Sequence, residues 1–119
     1  MAVINRSSAP HDRWGGACDG WHLLGLPELS VIEERVPPLA SETRRRHLRA
    51  RQFFRVLDGQ AMLELDGTTH VLRAGDGLHV PPGAPHQLHD ALQADVRLRV
   101  VSSPYSHGDR DIVPAEVLQ

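Results

Sequence analysis

Eight histidines in 119 residues are the side chains best suited to chemistry in this chain, because a neutral imidazole can ligate a metal, move a proton or accept a hydrogen bond near neutral pH. His47, His79, His86 and His89, with Gln52 among them, fall in or beside segments that read as strands, whereas His11, His22, His70 and His107 fall nearer segments that read as surface. His86 shares parity with Leu88, so if Leu88 packs inward His86 does too, and a buried imidazole needs a hydrogen-bond partner or a metal. His79 and His89 read as rim or surface residues. Other reactive types are sparse. Cys18 is the sole cysteine and sits in a Gly-rich segment with nothing to fix a Cys–His pair, so it reads as an inert or surface thiol. Glu64 and Asp66 share a strand face, but the solvent-side one, which argues against paired-carboxylate hydrolysis. No phosphate-binding loop or zinc-finger spacing is present.

The elements that must position these residues are strands. Ten Gly and nine Pro punctuate the apolar segments too often for long helices, so the chain reads as all-β. Leu29 to Val36 is rich in β-branched residues and ends at Pro37-Pro38. The run FFRVLDGQAMLELDG carries turn signals at Asp58-Gly59 and Asp66-Gly67 and reads most economically as a hairpin. Thr68–Arg73, Gly77–Val80, His86–Leu88 and Val96–Val101 supply further strands, seven or eight in all, which implies a barrel or sandwich. Period-2 alternation places Gln52, Phe54 and Val56 on one face, Ala61, Leu63 and Leu65 on the core face of the next strand, and Val96, Leu98 and Val100 inward if Arg97 and Arg99 face solvent. Phe53 and Leu57, on the opposite face of their strand, would suit a second sheet, the N-terminal segment or a partner subunit. Residues 1–27 read as an N-terminal arm packed on the barrel, irregular over its first twenty residues, 28–104 as the barrel, and 105–119 as a tail. Trp14 and Trp21 read as anchors of that arm, the alternative being the lining of a ligand entrance.

Bulk properties exclude several classes. One short chain with 13 basic against 15 acidic side chains is a single domain without a chain-wide field for nucleic acid. The cluster Arg44, Arg45, Arg46, Arg49 and Arg51 lacks an aromatic platform beyond Phe53 and Phe54, and reads as a charged barrel rim. The absence of a membrane-length apolar run, of a secretory h-region and of paired cysteines leads to the expectation of a cytoplasmic protein.

One spacing is specific. GDGLHVPPGAPHQLHD runs from Gly75 through Pro81, Gly83 and His86 to Asp90, and here the sequence resembles the cupin superfamily of jelly-roll β-barrels. The family's second motif ends in Asn where this chain has Asp90. Its first motif, His-x-His followed by Glu and Gly, is degenerate in RRHLRARQFFRVLDG: Arg45 stands at the first His, His47 at the second, Gln52 at the Glu, and Gly59 at the Gly. SETRRRHLRARQFF also looks like a bacterial subgroup of single-domain cupins in which Gln already takes the Glu position.

The resemblance implies a pocket of Arg45, His47, Gln52 and His86, in which His47, Gln52 and His86 are the metal ligands that remain. Two imidazoles and an amide oxygen hold a divalent ion less well than three imidazoles and a carboxylate. If Arg45 points inward, its fixed charge opposes a cation and instead suits a carboxylate, phosphate or acidic sugar. If it swings to solvent, water completes a two-His, one-Gln site. The expectation is a homodimeric cupin of unassigned activity that binds a small polar or anionic ligand, with a divalent metal (Fe, Ni, Mn or Zn) weakly held or absent. The alternative is a metal-dependent dioxygenase or sugar isomerase using His47 and His86.

Overall fold

Turn geometry sets where the strands begin and end. Asp66 and Gly67 both take positive φ, 51° and 90°, the signature of a two-residue type I′ turn whose twist matches the flanking strands. That turn joins β6 (Gln60–Leu65) to β7 (Thr68–Arg73) in antiparallel register, with Leu65 opposite Thr68. The computed structural model describes residues 3–15, 17–89, 94–106 and 108–114. Asp90, the departing motif position, and His107 lie outside them.

The remaining strands are β1 (His11–Trp14), β2 (Cys18–Leu26), β3 (Leu29–Val36), β4 (Arg45–His47), β5 (Arg51–Asp58), β8 (Gly77–Val80), β9 (His86–His89), β10 (Val96–Ser103) and β11 (Arg110–Ile112). They form a six-stranded sheet ordered β1-β2-β3-β10-β5-β8 and a five-stranded sheet ordered β11-β4-β9-β6-β7. The expected inward faces meet between them: Phe54, Val56, Ala61, Leu63, Leu88, Val96 and Leu98 are all 2% exposed or less. Each large side chain buried this way contributes about 1.5–3 kcal/mol. The outer face of β5 is largely open; Phe53 lies across the backbone of Gly77, where an added Cβ would meet its ring.

Three expectations are corrected. The segment before residue 28 is not an irregular arm, because β1 and β2 continue the large sheet beyond β3. Asp19 ties this extension down by accepting from Arg35 Nε at 2.7 Å, and its carboxylate also meets the His11 ring at 2.7 Å. Cys18 consequently lies in the core with no exposure, and burial, with the nearby Glu34 charge, raises its thiol to about 11. The tail likewise contributes β11, which pairs with β4; Asp109, just before it, accepts the backbone N–H groups of Arg49 and Ala50 at 2.9 and 2.8 Å.

The third correction concerns Asp58-Gly59. β5 and β6 are not a hairpin but belong to opposite sheets, so this turn is a corner of the barrel. Gly59 has φ 85°, and a Cβ there would stand 2.7 Å from the Asp95 carbonyl oxygen. Gly67, with φ 90°, has open space around it. Gly59→Ala is therefore expected to destabilise by about 1–3 kcal/mol and more than Gly67→Ala, since it adds a steric conflict to the conformational strain. Urea denaturation of the two variants checks this; equal losses would show that the corner yields freely.

Candidate functional site

One end of the barrel opens on a cleft whose side chains come from both sheets. β4 and β9 pair only where Arg45 faces His86, and directly opposed residues project to the same side of a sheet. His86 is 1% exposed, so the pairing turns Arg45 inward with it. His47, two residues on, shares that face. From the other sheet, Gln52 lies opposite Ser102 and donates through Nε2 to Ser102 Oγ at 3.0 Å. Phe54 presents an edge contact to the His86 ring at 5.9 Å. The second-motif turn is fixed by Gly83, at φ 81°, whose N–H donates to the His47 carbonyl at 2.7 Å. It thereby ties the approach to His86 to β4.

Inside, three polar atoms are buried and have no hydrogen-bond partner among the described residues: His47 Nδ1, Gln52 Oε1 and His86 Nε2. His86 Nδ1 lies 3.0 Å from the Ala84 carbonyl, which can only accept, so Nδ1 carries a proton and, in this tautomer, the ring's lone pair lies at Nε2. The His47 and His86 rings are 5.7 Å apart. Burial first, then the neighbouring His86 ring and the Arg45 charge, hold the His47 pKa down at about 4, so this imidazole is neutral at physiological pH.

Two carboxyl groups complete the site, and neither has a motif to announce it. Glu42, 8% exposed, accepts the Leu88 N–H at 3.2 Å and faces Arg45 Nη2 at 3.5 Å. Glu34 has only parity as a signal: on β3 it shares a face with Val36, which is in the core, and with Ile32, which lines the same cleft. Burial, and then the Glu42 carboxylate, push its pKa up to about 8 against partial relief from Arg45. The Arg45 side chain is 16% exposed and donates through Nε to the Thr43 carbonyl at 3.2 Å. An inner chamber of about 80 Å³ contains Glu34, Arg45, His47, Gln52 and His86. An outer vestibule of about 290 Å³ adds Asp12, Arg13, Trp14 and His22, so Trp14 both packs on the core and borders the entrance.

The neighbouring arginines do not join the site. Arg44 pairs with Glu64 at 2.6 Å, and Arg46 with Asp111 at 2.9 Å. Arg49 sits 3.9 Å from Asp109. His79 is exposed and His89 half-buried; neither lines the chamber.

Residues 32–102 match the family model described as the cupin domain. The chain belongs to the cupin domain family. An uncharacterized protein of Methanocaldococcus jannaschii is 26% identical over 84 residues, covering 69% of this chain and 67% of that one. Among solved structures, an RmlC-like cupin from Shewanella frigidimarina superposes with a TM-score of 0.81 at 23% identity, covering 91% of this chain and 95% of the other. A sugar phosphate isomerase of the cupin superfamily from Silicibacter pomeroyi gives 0.76 at 21% identity, with 86% and 75% covered. At these identities the structural likeness establishes the fold.

Within that fold, the family's metal position can be tested against this cupin's own atoms. The free lone pairs of His86 Nε2 and Gln52 Oε1, beside the neutral His47 ring, match a cation in kind. They do not match it in number or charge: the set has two imidazoles, one neutral amide and an inward guanidinium at the remaining position. Among the described residues no group of three or more His, Cys, Asp and Glu side chains is placed to hold a metal. The residues present do not fit a tightly held divalent ion.

Proposed function

We propose that this cupin binds a small anion in the barrel mouth, a carboxylate, phosphate or acidic sugar, with Arg45 in the role that the metal has in metal-loaded relatives. The observation that carries this reading is the Arg45–His86 pairing, which holds the guanidinium inside the chamber. Thr43 and Glu42 occupy Nε and Nη2, and the remaining donors suit a carboxylate or phosphate oxygen. Arg110 lines both chamber and vestibule and adds a second positive charge, while the Glu42 carboxylate is already engaged.

Isothermal titration of metal-free protein with acetate, inorganic phosphate and gluconate tests the reading. Binding of at least one is expected, weakened tenfold or more in Arg45→Met. A set of ligands bound equally well by wild type and Arg45→Met would remove Arg45 from the site. The three unpartnered buried atoms favour a second reading, a metal-dependent isomerase or dioxygenase. Stoichiometric retention of iron, nickel, manganese or zinc through dialysis, lost in His86→Ala, would favour that reading over the first.

A further inference from the structure

We infer that the cleft is built for a hydroxy acid bound end-on, its hydroxyl in the chamber and its carboxylate at the neck; this rests on the anion-binding reading above. Hydrogen-bond donors and acceptors are segregated along the cleft. The chamber floor offers acceptors: His86 Nε2, because Nδ1 is committed to Ala84, and Gln52 Oε1, because Nε2 is committed to Ser102. Both are buried, and a buried acceptor left unmade is costly, so the group that fills the floor must donate. A carboxylate oxygen cannot do so; a hydroxyl can, and it can also accept from an imidazole N–H of His47.

The neck has the opposite character. Ile32, Glu34, Arg45 and Arg110 line both the chamber and the vestibule, and two of the four are obligate donors. Glu34 feels Glu42, Arg45 and Asp12; its burial and the two carboxylates outweigh the Arg45 charge and keep it protonated to about pH 8, so near neutrality it too has a proton to offer a ligand carboxylate. The ligand class is thus a small 2- or 3-hydroxy acid, or the terminal fragment of a longer one.

Matched pairs at constant charge test the assignment. Titration calorimetry or ligand-observed NMR on chelator-treated, tag-free full-length protein would compare acetate with glycolate, and propionate with D-lactate, L-lactate and 3-hydroxypropionate. At least one hydroxylated member is expected to bind tenfold or more tighter than its partner. In Gln52→Leu, shown to be folded by circular dichroism, that ratio should fall towards one. If acids with and without hydroxyl bind alike, the inward hydroxyl is overturned while the anion-binding reading stands. If none of these acids binds, the hydroxy-acid inference is overturned, and binding of phosphate or gluconate alone decides the anion-binding reading. Hydroxy-acid binding that appears only after a divalent ion is restored overturns the inference by assigning the floor to the metal. Should Gln52→Leu fail to fold, the wild-type pair ratios decide alone.

Discussion

Arg45→His combined with Gln52→Glu is expected to give a chamber that retains a single equivalent of a divalent ion through dialysis. The two changes remove one positive charge and add one negative charge, and they complete a donor set of three imidazoles and a carboxylate. Even one charge-pair change is large here: unit charges 4 Å apart at an effective dielectric of 20 interact by about 4 kcal/mol, roughly a thousandfold in affinity. Geometry favours the conversion, because position 45 projects to the same side as His86 and the His47 and His86 rings already stand 5.7 Å apart. Elemental analysis after dialysis and competition with a chelator would read the result, with a gain of at least about a hundredfold expected for the double variant over wild type. Each single variant should fall between. A folded double variant that binds zinc or nickel no better than wild type would show that the backbone cannot bring the three rings together, and that charge was not the obstacle.

Glu34→Gln should stabilise the protein, and by an amount that grows as pH rises. The folded-state pKa of about 8 stands above the ordinary 4.5, so between those values the folded chain keeps a proton that the unfolded chain releases. Stability then falls with rising pH, by at most about 1.4 kcal/mol per unit, and the loss is complete and level above pH 8. Below pH 4.5 both states are protonated and the penalty disappears. His47 runs the other way. Its pKa of about 4 against 6.5 means that the unfolded chain takes up the extra proton, so stability is lost as pH falls from 6.5 towards 4. Comparing wild type with Glu34→Gln cancels the His47 contribution. Thermal melts from pH 5 to 8.5 should show the variant gaining steadily on the wild type; parallel profiles would mean that the Glu34 carboxyl ionises as it does in water. The same variant keeps a donor at the neck, so it separates the cost of burying the acid from its use towards a ligand.

Local chemistry made much of the fold legible. Period-2 alternation correctly placed Phe54 and Val56, Ala61 and Leu63, and Val96, Leu98 and Val100 in the core, because a strand's faces follow directly from sequence spacing. Gly-containing turns marked β7 and β8 at their ends. Where the reading failed, long-range pairing decided. Asp58-Gly59 carries the signal of a hairpin turn, yet the same dipeptide serves a corner, and only the separation of β5 and β6 into two sheets tells them apart. The N-terminal residues look irregular in composition, but β3 offers an open edge on which β2 pairs and β1 follows.

The site divides in the same way. Sequence alone identified the cupin spacing around His86 and, by resemblance, set Arg45 and Gln52 at first-motif positions, from which a weakened metal set is an expectation. Those are properties of residue identity and spacing along one chain. It could not decide which way Arg45 points, nor bring in Glu34 and Glu42, because these depend on contacts between segments distant in sequence. The Arg45–His86 pairing turns the guanidinium inward, and Glu42 approaches it from the connection between β3 and β4. Glu34 becomes an acid of unusual pKa only when burial and that second carboxylate close around it. Charge, desolvation and hydrogen-bond direction act through space over a few ångströms, so the tertiary structure alone decides which groups line the chamber and how they are disposed.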